Sequence, residues 1–391
     1  MKRLEKLIKE FCPHGVPFDK LGRICTRQKG IPITAGEMKR MDKPNGKIRI
    51  FAAGNTIANV DNEDIPDKAI ITKPSIIVKS RGNIGFEYFT EPFSHKNEMW
   101  SYSTSRKDVD IKFLFYYLSN HTREFQLKTK TGKLPQISTP DTDNFLVPIP
   151  PLPVQQEIVR ILDNFTELTA ELTAELTARK KQYEYYRDDL LTFGNEVGWI
   201  YLEEIAEFKY GFTAKAKAEG NTRFVRITDI KDNGKLDYDS PMYVDLNSSN
   251  GEYLLEYGDL LMARTGASYG KTMIFQEKSK AIFASFLIRI RFPKDVVNPI
   301  FYWHFSQSNL FWDQANKLVS KAGQPQFNAN ALKRVKMPIP PLSEQNSIVI
   351  TLDKFDALAN DISIGLPAEI EARRKQYEYY RDKLLTFKEA K

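Results

Sequence analysis

The sequence predicts an α+β protein in which two globular domains, each a twisted β-sheet with a few helices, alternate along the chain with two long, related helices. The chain has 391 residues, more than the roughly 100–200 typical of a single domain. Two helical segments occur twice, about 190 residues apart. The remaining segments mix short β-type and helical runs without regular β–α alternation, which favours α+β over α/β.

Composition and charge indicate an ordered protein with a basic surface. Hydrophobic residues make up 41% of the chain and charged residues 27%, as in ordinary folded domains. The formal net charge of +7 makes a nucleic-acid partner a reasonable hypothesis, although many basic proteins bind none. Cys12 and Cys25 cannot build a disulfide framework, the start MKRLEKLIKEF lacks the apolar core of a secretory signal, and no apolar run is long enough for a membrane span. We therefore expect a cytoplasmic protein without a membrane partner.

The repeat has two matched ends. PIPPLPVQQEIVRILDNF begins at Pro148 and returns as PIPPLSEQNSIVITLDKF at Pro338, a displacement of 190 residues. RKKQYEYYRDDLLTF begins at Arg179 and returns as RRKQYEYYRDKLLTF at Arg373, a displacement of 194 residues. The difference of four residues is about one helical turn, and it falls beside TELTAELTAELTAR, a tandem repeat of TAEL at residues 166–179.

Apolar residues in the first copy recur at helical spacings and predict one helix from about Val154 to Thr192. At about 1.5 Å per residue it would be roughly 58 Å long, which suits a coiled-coil strut. In the second copy we expect Ser343 to be the N-cap, and Gly365 and Pro367 to interrupt the helix near Leu366. Two such helices can pair as an antiparallel coiled coil, which implies an internal pseudo-twofold axis.

The two globular segments, residues 1–147 and 194–337, share an internal order although their sequences differ. In each, an apolar strand leads into a basic, glycine-containing loop, SIIVKSRGNIGF at residues 75–86 and DLLMARTGASYGKTMIF at residues 259–275. A helical stretch follows, and then a Gly-Pro-Gln loop, TGKLPQI from Thr131 and AGQPQF from Ala322. The chain is therefore interpreted as a tandem duplication of one structural unit.

This organisation resembles the specificity subunits of Type I restriction-modification systems. The resemblance lies in PIPPL leading into a Q-x-x-I helix, the TAEL repeat and the YxYYRDxLL end, and it covers essentially the whole chain. It implies target-recognition domains at residues 1–147 and 194–337, and conserved helical regions at residues 148–193 and 338–391.

The resemblance also implies a function. In that family each target-recognition domain reads one half of a bipartite, asymmetric sequence in double-stranded DNA. The helices set the spacer and dock two methyltransferase subunits, and restriction subunits that translocate DNA join the complex. S-adenosylmethionine is held by the methyltransferase, so we expect no cofactor, no metal and no catalysis on this chain.

The strut makes the spacer testable. Four helical residues rise about 6 Å and one base pair about 3.4 Å, so gain or loss of one TAEL unit should change the spacer by about one or two base pairs. Because the two domains differ in sequence, we expect two different half-sites, since identical readers would give a palindrome.

The candidate DNA-binding residues lie in the recurring loops. The basic loops offer side chains that contact phosphates and base edges: Lys79, Arg81 and Asn83 in the first domain, and Arg264, Ser268, Tyr269 and Lys271 in the second. The Gly-Pro-Gln loops offer Lys133, Gln136, Gln324 and Gln326. The alternative is that the basic loops are solvated turns and that the Gly and Pro residues merely shape a connection to the strut.

The tyrosines of YEYY are interpreted as helix packing. Tyr183, Tyr185 and Tyr186, with their copies Tyr377, Tyr379 and Tyr380, occur at helical spacing. This favours packing between the helices, or a methyltransferase dock, over base stacking.

Catalytic interpretations fit poorly. GASYGKT at residues 266–272 has three residues between its glycines where a P-loop has four, and it leads into a strand-like run instead of a helix. NPIF at Asn298 is read as a helix start. The remaining alternatives are a nucleotide-dependent enzyme using residues 266–272, and a coiled-coil scaffold that binds proteins and has no salt-sensitive DNA affinity.

Overall fold

The computed structural model of this protein describes residues 2–54, 56–129, 134–320, 323–361 and 363–390. The chain divides into two compact units, Met1–Ala170 with Ala372–Lys391, and Glu171–Glu371. Each unit thus contains one globular domain together with a part of each helical region. The two units are described separately below.

The described residues of the first part of the chain contain nine strands and six α-helices before the first long helix. In chain order these are α1 (Lys2–Phe11), β1 (Phe18–Lys20), α2 (Leu21–Ile24), β2 (Thr26–Lys29), α3 (Ala35–Met41), β3 (Ile48–Phe51), β4 (Ile57–Val60), β5 (Ser75–Lys79), β6 (Gly85–Phe89), β7 (Phe93–His95), β8 (Trp100–Ser103), α4 (Ile111–Asn120), α5 (Thr122–Leu127), α6 (Thr139–Asp143) and β9 (Leu146–Pro148), within the described residues.

The second part repeats much of this order after the long helix. The elements are α7 (Leu152–Leu190), β10 (Trp199–Tyr201), α8 (Leu202–Ile205), β11 (Glu207–Tyr210), β12 (Thr222–Val225), β13 (Tyr243–Val244), β14 (Leu260–Ala263), β15 (Thr272–Ile274), β16 (Ala281–Phe283), β17 (Leu287–Arg291), α9 (Pro299–Phe305), α10 (Asn309–Leu318), α11 (Ala329–Lys333), β18 (Lys336–Pro338), α12 (Leu342–Asn360) and α13 (Leu366–Leu384).

The sheets of the first unit are mostly antiparallel. A four-stranded sheet has the order β2-β8-β5-β6, a three-stranded sheet has the order β4-β3-β7, and β1 pairs with β9. Strand β5 is buried on both faces. Its side chains alternate between the two faces of the sheet, and each face packs into a different core. Ile76 and Val78 join the large core with Phe113 of α4, whereas Ile77 packs with Phe51.

The second unit has the same topology. Its sheets have the orders β11-β17-β14-β15 and β13-β12-β16, and β10 pairs with β18. Strand β14 is again buried on both faces, with Leu260 and Met262 in the large core and Leu261 in a smaller one. The first unit differs by having helix α3 between β2 and β3, where the second has no helix between β11 and β12 among its described residues.

A buried glutamine joins each long helical region to its own domain. Gln155 accepts a hydrogen bond at Oε1 from the backbone N–H of Asp110 (2.8 Å), and its Nε2 donates to the carbonyl oxygens of Asp108 (2.8 Å) and Pro150 (2.6 Å). Gln345 makes the same three kinds of bond in the second unit, to Asn298, Val296 and Pro340. The glutamine of the Q-x-x-I motif is therefore a structural anchor.

The helical regions confirm the expected interruption and correct one cap. The second region is divided into α12 and α13, with the break between Asn360 and Leu366, as Gly365 and Pro367 predict. Ser343 is not the N-cap, because α12 already begins at Leu342 with Pro341 in the cap position. The preceding prolines set this start, since proline's φ suits the beginning of a helix.

The YEYY tyrosines fall into two groups. Tyr380 stacks on Phe165 in the first unit (centroids 5.6 Å apart), and Tyr186 stacks on Phe355 in the second (5.2 Å). Packing is thus confirmed for these two, and Tyr183 and Tyr377 also pack in the cores of their units. Tyr185 and Tyr379, which occupy the same position in the two copies, are 67% and 63% exposed, so for them a methyltransferase dock remains the prediction.

The structure confirms the predicted fold class. Helix and sheet are mixed, and two sheet-rich domains lie on either side of α7 along the chain. The predicted helix start at Asn298 is also confirmed, because its side chain accepts from the backbone N–H of Ile300 and caps α9. Within the described residues, no helix has the length and apolar character needed to cross a membrane.

Candidate nucleic-acid interface

The two recurring loops of the first unit meet. The loop after β5 and the loop that precedes α6 form a short antiparallel bridge between Arg81 and Gln136. The backbone N–H of Gly82 donates to Pro135 O (2.9 Å), and that of Ile137 donates to Ser80 O (3.0 Å). Gly82 has φ +76°, a backbone conformation that glycine adopts without strain.

Arg81 and Gln136 form the exposed tip of this paired loop. Both side chains are exposed, and an Nη of Arg81 donates to Oε1 of Gln136 (3.0 Å). Two candidates chosen from separate loops, 55 residues apart in sequence, are thus direct neighbours. Their other polar hydrogens are available for a ligand, because each side chain carries more donors than this one bond uses.

The other candidates of the first unit have different surroundings. Lys79 forms an ion pair with Glu87 on the adjacent strand (2.7 Å), which offsets much of its charge. Asn83 is exposed on the same loop as Arg81. Lys133 lies outside the described residues.

The second unit contains the same paired loop. Thr265 and Gln326 form the antiparallel bridge, Gly266 N–H donates to Pro325 O (3.1 Å), and Phe327 N–H donates to Arg264 O (2.8 Å). Gly266 has φ +72°, which matches Gly82. The bridges align Arg81 with Thr265 and Ser80 with Arg264, a register that the two loop sequences did not define.

Gln326 and Thr265 occupy the equivalent place in the second unit, where Gln326 is half-buried and Thr265 is buried. Nε2 of Gln326 donates to Oγ1 of Thr265 (2.7 Å), while the Thr265 hydroxyl donates to Pro325 O (3.3 Å). Gln324 is exposed beside them, and its amide nitrogen lies 3.1 Å from the point that a Cβ on Gly266 would occupy. Sequence reasoning missed Thr265, and the shared Pro-Gln dipeptide was the signal that could have identified it.

Arg264 is held against its own domain. Its Nε donates to Ser285 O (3.0 Å), and its guanidinium lies over the rings of Tyr210 (5.3 Å) and Phe286 (5.4 Å). In the first unit the aligned Ser80 donates its hydroxyl to the carbonyl oxygen of Glu98. Tyr210 and Phe286 are themselves largely exposed, so they add an aromatic surface that the sequence alone did not mark.

The remaining candidates of the second unit are also engaged. Tyr269 donates its hydroxyl to Asn316 (2.7 Å) and packs its ring edge-on against Trp312. Lys271 forms an ion pair with Asp232, and this hydrogen bond holds the pKa of the Asp232 carboxyl below its usual range. Ser268 ends a short 3-10 turn, Gly266–Ser268.

The structure is unsuited to the nucleotide-binding alternative. Residues 266–272 lead from that turn directly into strand β15, whereas a phosphate-binding loop of this type opens a helix. Among the described residues, no cluster of three or more His, Cys, Asp or Glu side chains is arranged to hold a metal ion.

Comparison with known proteins identifies the family to which the chain belongs. The family model described as the Type I restriction modification DNA specificity domain matches twice, at residues 19–179 and 196–372. These matches cover most of the chain and correspond to its two halves. The chain belongs to the type I restriction-modification specificity subunits.

Relatives of this specificity subunit are found in bacteria. The specificity subunit of the type I restriction enzymes EcoR124I and EcoR124II of Escherichia coli is 35% identical over 307 residues, which cover 71% of each chain. The EcoprrI specificity subunit of the same organism is 28% identical over 350 residues, covering 83% of this chain and 81% of the relative. A role in DNA sequence specificity follows, and the family match favours it over a protein-binding scaffold.

Solved structures share the fold of the specificity subunit. The crystal structure of the S subunit from M. genitalium superposes with a TM-score of 0.60 at 17% identity, covering 95% of this chain and 96% of the other. A chain from a structural study of type I complex assembly and conformational transition gives 0.57 at 16% identity, covering 96% and 98%. At these identities the likeness establishes the fold.

Proposed function

We propose that each domain of this specificity subunit reads one half of a bipartite, asymmetric DNA sequence through its paired loops. The observation that carries the proposal is that both units build the same loop pair with a glutamine on one side, Gln136 or Gln326, and a different residue opposite it, Arg81 in the first unit and Thr265 in the second. A common scaffold with different tips is suited to reading two different sequences.

The helical regions supply the spacer and the partner surfaces in this proposal. The TAEL repeat of α7 sets the distance between the half-sites. Two methyltransferase subunits dock on the two copies of the helical region, and restriction subunits join through the complex. Tyr185 and Tyr379 support two equivalent docks, because exposed aromatic side chains are typical of protein interfaces.

The chemistry is assigned to the partners. The complex methylates adenine and cleaves DNA in the cytoplasm, while this chain contributes no catalytic residue and no metal. S-adenosylmethionine is bound by the methyltransferase subunit, so no cofactor is assigned to this chain. The specificity subunit selects where the chemistry occurs.

The test is a methylation map. The chain would be co-expressed with its methyltransferase subunit, and N6-methyladenine would be mapped across the host genome. We expect one bipartite, asymmetric motif. A soluble complex that methylates without any sequence motif would contradict the proposal and favour the protein-binding scaffold.

A second arm of this experiment tests the strut. Deleting residues 171–174, one ELTA repeat unit of α7, shortens a helix by about 6 Å. The spacer is expected to shorten by about one or two base pairs, which correspond to about 3.4 Å each, while both half-sites stay the same. An unchanged spacer would show that the repeat does not set the distance.

A further inference from the structure

We infer that Arg81 reads the guanine of a G·C pair in one half-site, and that Gln326, the counterpart of Gln136 in the paired loop of the second unit, reads the adenine of an A·T pair in the other. The inference rests on the proposed function. It adds the base identity at one position of each half-site.

The hydrogen-bond network fixes what the tip of the first unit presents. Arginine has only donors, so its bond to Gln136 must use the amide oxygen of Gln136, as the 3.0 Å Nη–Oε1 distance shows. The tip therefore presents the remaining N–H groups of the guanidinium and the amide NH₂ of Gln136. The polar groups that these two side chains leave unbonded are therefore mainly hydrogen-bond donors.

A donor-rich fork selects guanine. In the major groove guanine presents two acceptors, O6 and N7, which a guanidinium can bind bidentately. Gln136 is neutral, so it orients the guanidinium without cancelling its charge. Lys79 is a weaker candidate for the same task because Glu87 neutralises it.

The hydrogen bonds of the second unit leave a different set of groups unbonded, an acceptor together with a donor. The Thr265 hydroxyl spends its single hydrogen on Pro325 O (3.3 Å), so it can only accept from Gln326, whose Nε2 lies 2.7 Å away. Gln326 consequently keeps its amide oxygen and its second N–H. One acceptor beside one donor is the pattern that pairs with adenine N6 and N7.

Arg264 does not replace Arg81 in the second unit. Its Nε is bonded to Ser285 O, and its guanidinium lies over Tyr210 and Phe286. The register places Arg264 one position earlier in the loop, where the first unit has Ser80. The two tips therefore differ in chemistry although both loops contain an arginine.

The experiment is the same methylation map, made with Arg81→Lys and Gln326→Leu. Arg81→Lys keeps the positive charge and removes the planar fork, so the preference for guanine at one G·C position should fall by about tenfold or more. Gln326→Leu should relax one A·T position of the other half-site by a similar factor. Arg123→Lys, an exposed arginine on α5 of the first unit, is the matched control and should leave the motif unchanged.

Each half-site serves as an internal control for the other in this experiment. In each variant the untouched half-site must still be read, which shows that the chain is folded and assembled. A motif that is unchanged in Arg81→Lys, or an altered position that is an A·T pair, would overturn the assignment of Arg81. An altered G·C pair in Gln326→Leu would overturn that of Gln326. Absence of any motif with the wild-type chain would instead refute the proposed function itself.

Discussion

At the scale of single residues, a few buried polar side chains define how each domain is attached to its helix. Gln155 is almost completely buried and serves three backbone groups that would otherwise be unpaired. An unpaired buried polar group costs about 1–3 kcal/mol. The equivalent bonds of Gln345 indicate that this attachment is part of the repeated unit.

Gln155→Ala should lower the free energy of unfolding of the full chain by about 3 kcal/mol, because several buried backbone groups lose their partner. The measurement is urea denaturation followed by circular dichroism. Gln156 is the adjacent, exposed glutamine, and Gln156→Ala should change stability by less than about 0.5 kcal/mol. Equal effects of the two substitutions would exclude the anchoring role.

The buried histidine His95 makes the stability of the folded chain depend on pH. It is fully buried, between Lys96 O (3.3 Å) and the Ser101 hydroxyl (3.1 Å), and burial lowers its pKa to about 4 from 6.5. Between those values the unfolded chain binds a proton that the folded chain does not. The His95 contribution to stability is therefore complete above pH 6.5 and is lost as the pH falls toward 4.

His95→Gln should remove this component. Across the window from pH 6.5 to 4, the wild-type free energy of unfolding should fall more steeply than that of the variant, by up to about 1.4 kcal/mol per pH unit. Denaturation curves recorded at several pH values measure the difference in slope. Parallel pH profiles for the two proteins would show that His95 is not the cause.

At the scale of elements, the interruption of the second helical region is built by close backbone contact. A Cβ on Gly365 would lie 2.4 Å from Ala357 O and 2.8 Å from Asp361 O, closer than any unstrained contact. The chain between α12 and α13 can therefore turn at this point only with glycine. Pro367 then lies in the first turn of α13, where proline is tolerated.

Gly365→Ala should destabilise the chain by about 2 kcal/mol or more, because the new methyl group must displace backbone atoms. Thermal unfolding of the full chain would measure the effect. Gly251→Ala is the control in the same unit, since no atom lies within 4 Å of its added Cβ, and it should have little effect. A Gly365→Ala chain as stable as Gly251→Ala would refute the contact argument.

At the scale of the whole molecule, the repeat makes the domains exchangeable in principle. Phe18 pairs with Pro148 at the edge of the first domain, and Trp199 pairs with Pro338 at the edge of the second. Residues 18–147 and 199–337 therefore begin and end at equivalent places in the fold. The specificity of one domain should be transferable to the position of the other.

Replacing residues 199–337 with a second copy of residues 18–147 should convert the asymmetric motif into a palindromic one, because identical readers related by a twofold axis recognise inverted half-sites. Methylation mapping of the complex with this chain measures the motif. An asymmetric motif from a soluble complex would contradict the pseudo-twofold relation that the repeat predicts.

The duplicated organisation, the long first helix and the interruption at Gly365 were all predictable, because they depend on local patterns. Helical periodicity, proline and glycine act within a few residues of themselves. The candidate loops were also identifiable, since a basic glycine loop and a Pro-Gln loop recur in both domains. The exposure of Tyr185 was not, because it depends on neighbours distant in the sequence.

The amino-acid sequence by itself therefore determined the family, the α+β class and the loops that carry the candidate residues. Only the tertiary structure decided that the two loops of each domain pair with each other, that Arg81 aligns with Thr265, and that Arg264 is bound to its own domain. The physical reason is the distance along the sequence over which each kind of interaction acts. Propensity and periodicity are written in consecutive residues, whereas a hydrogen bond between side chains 55 or 61 positions apart exists only after the sheets have brought their loops together.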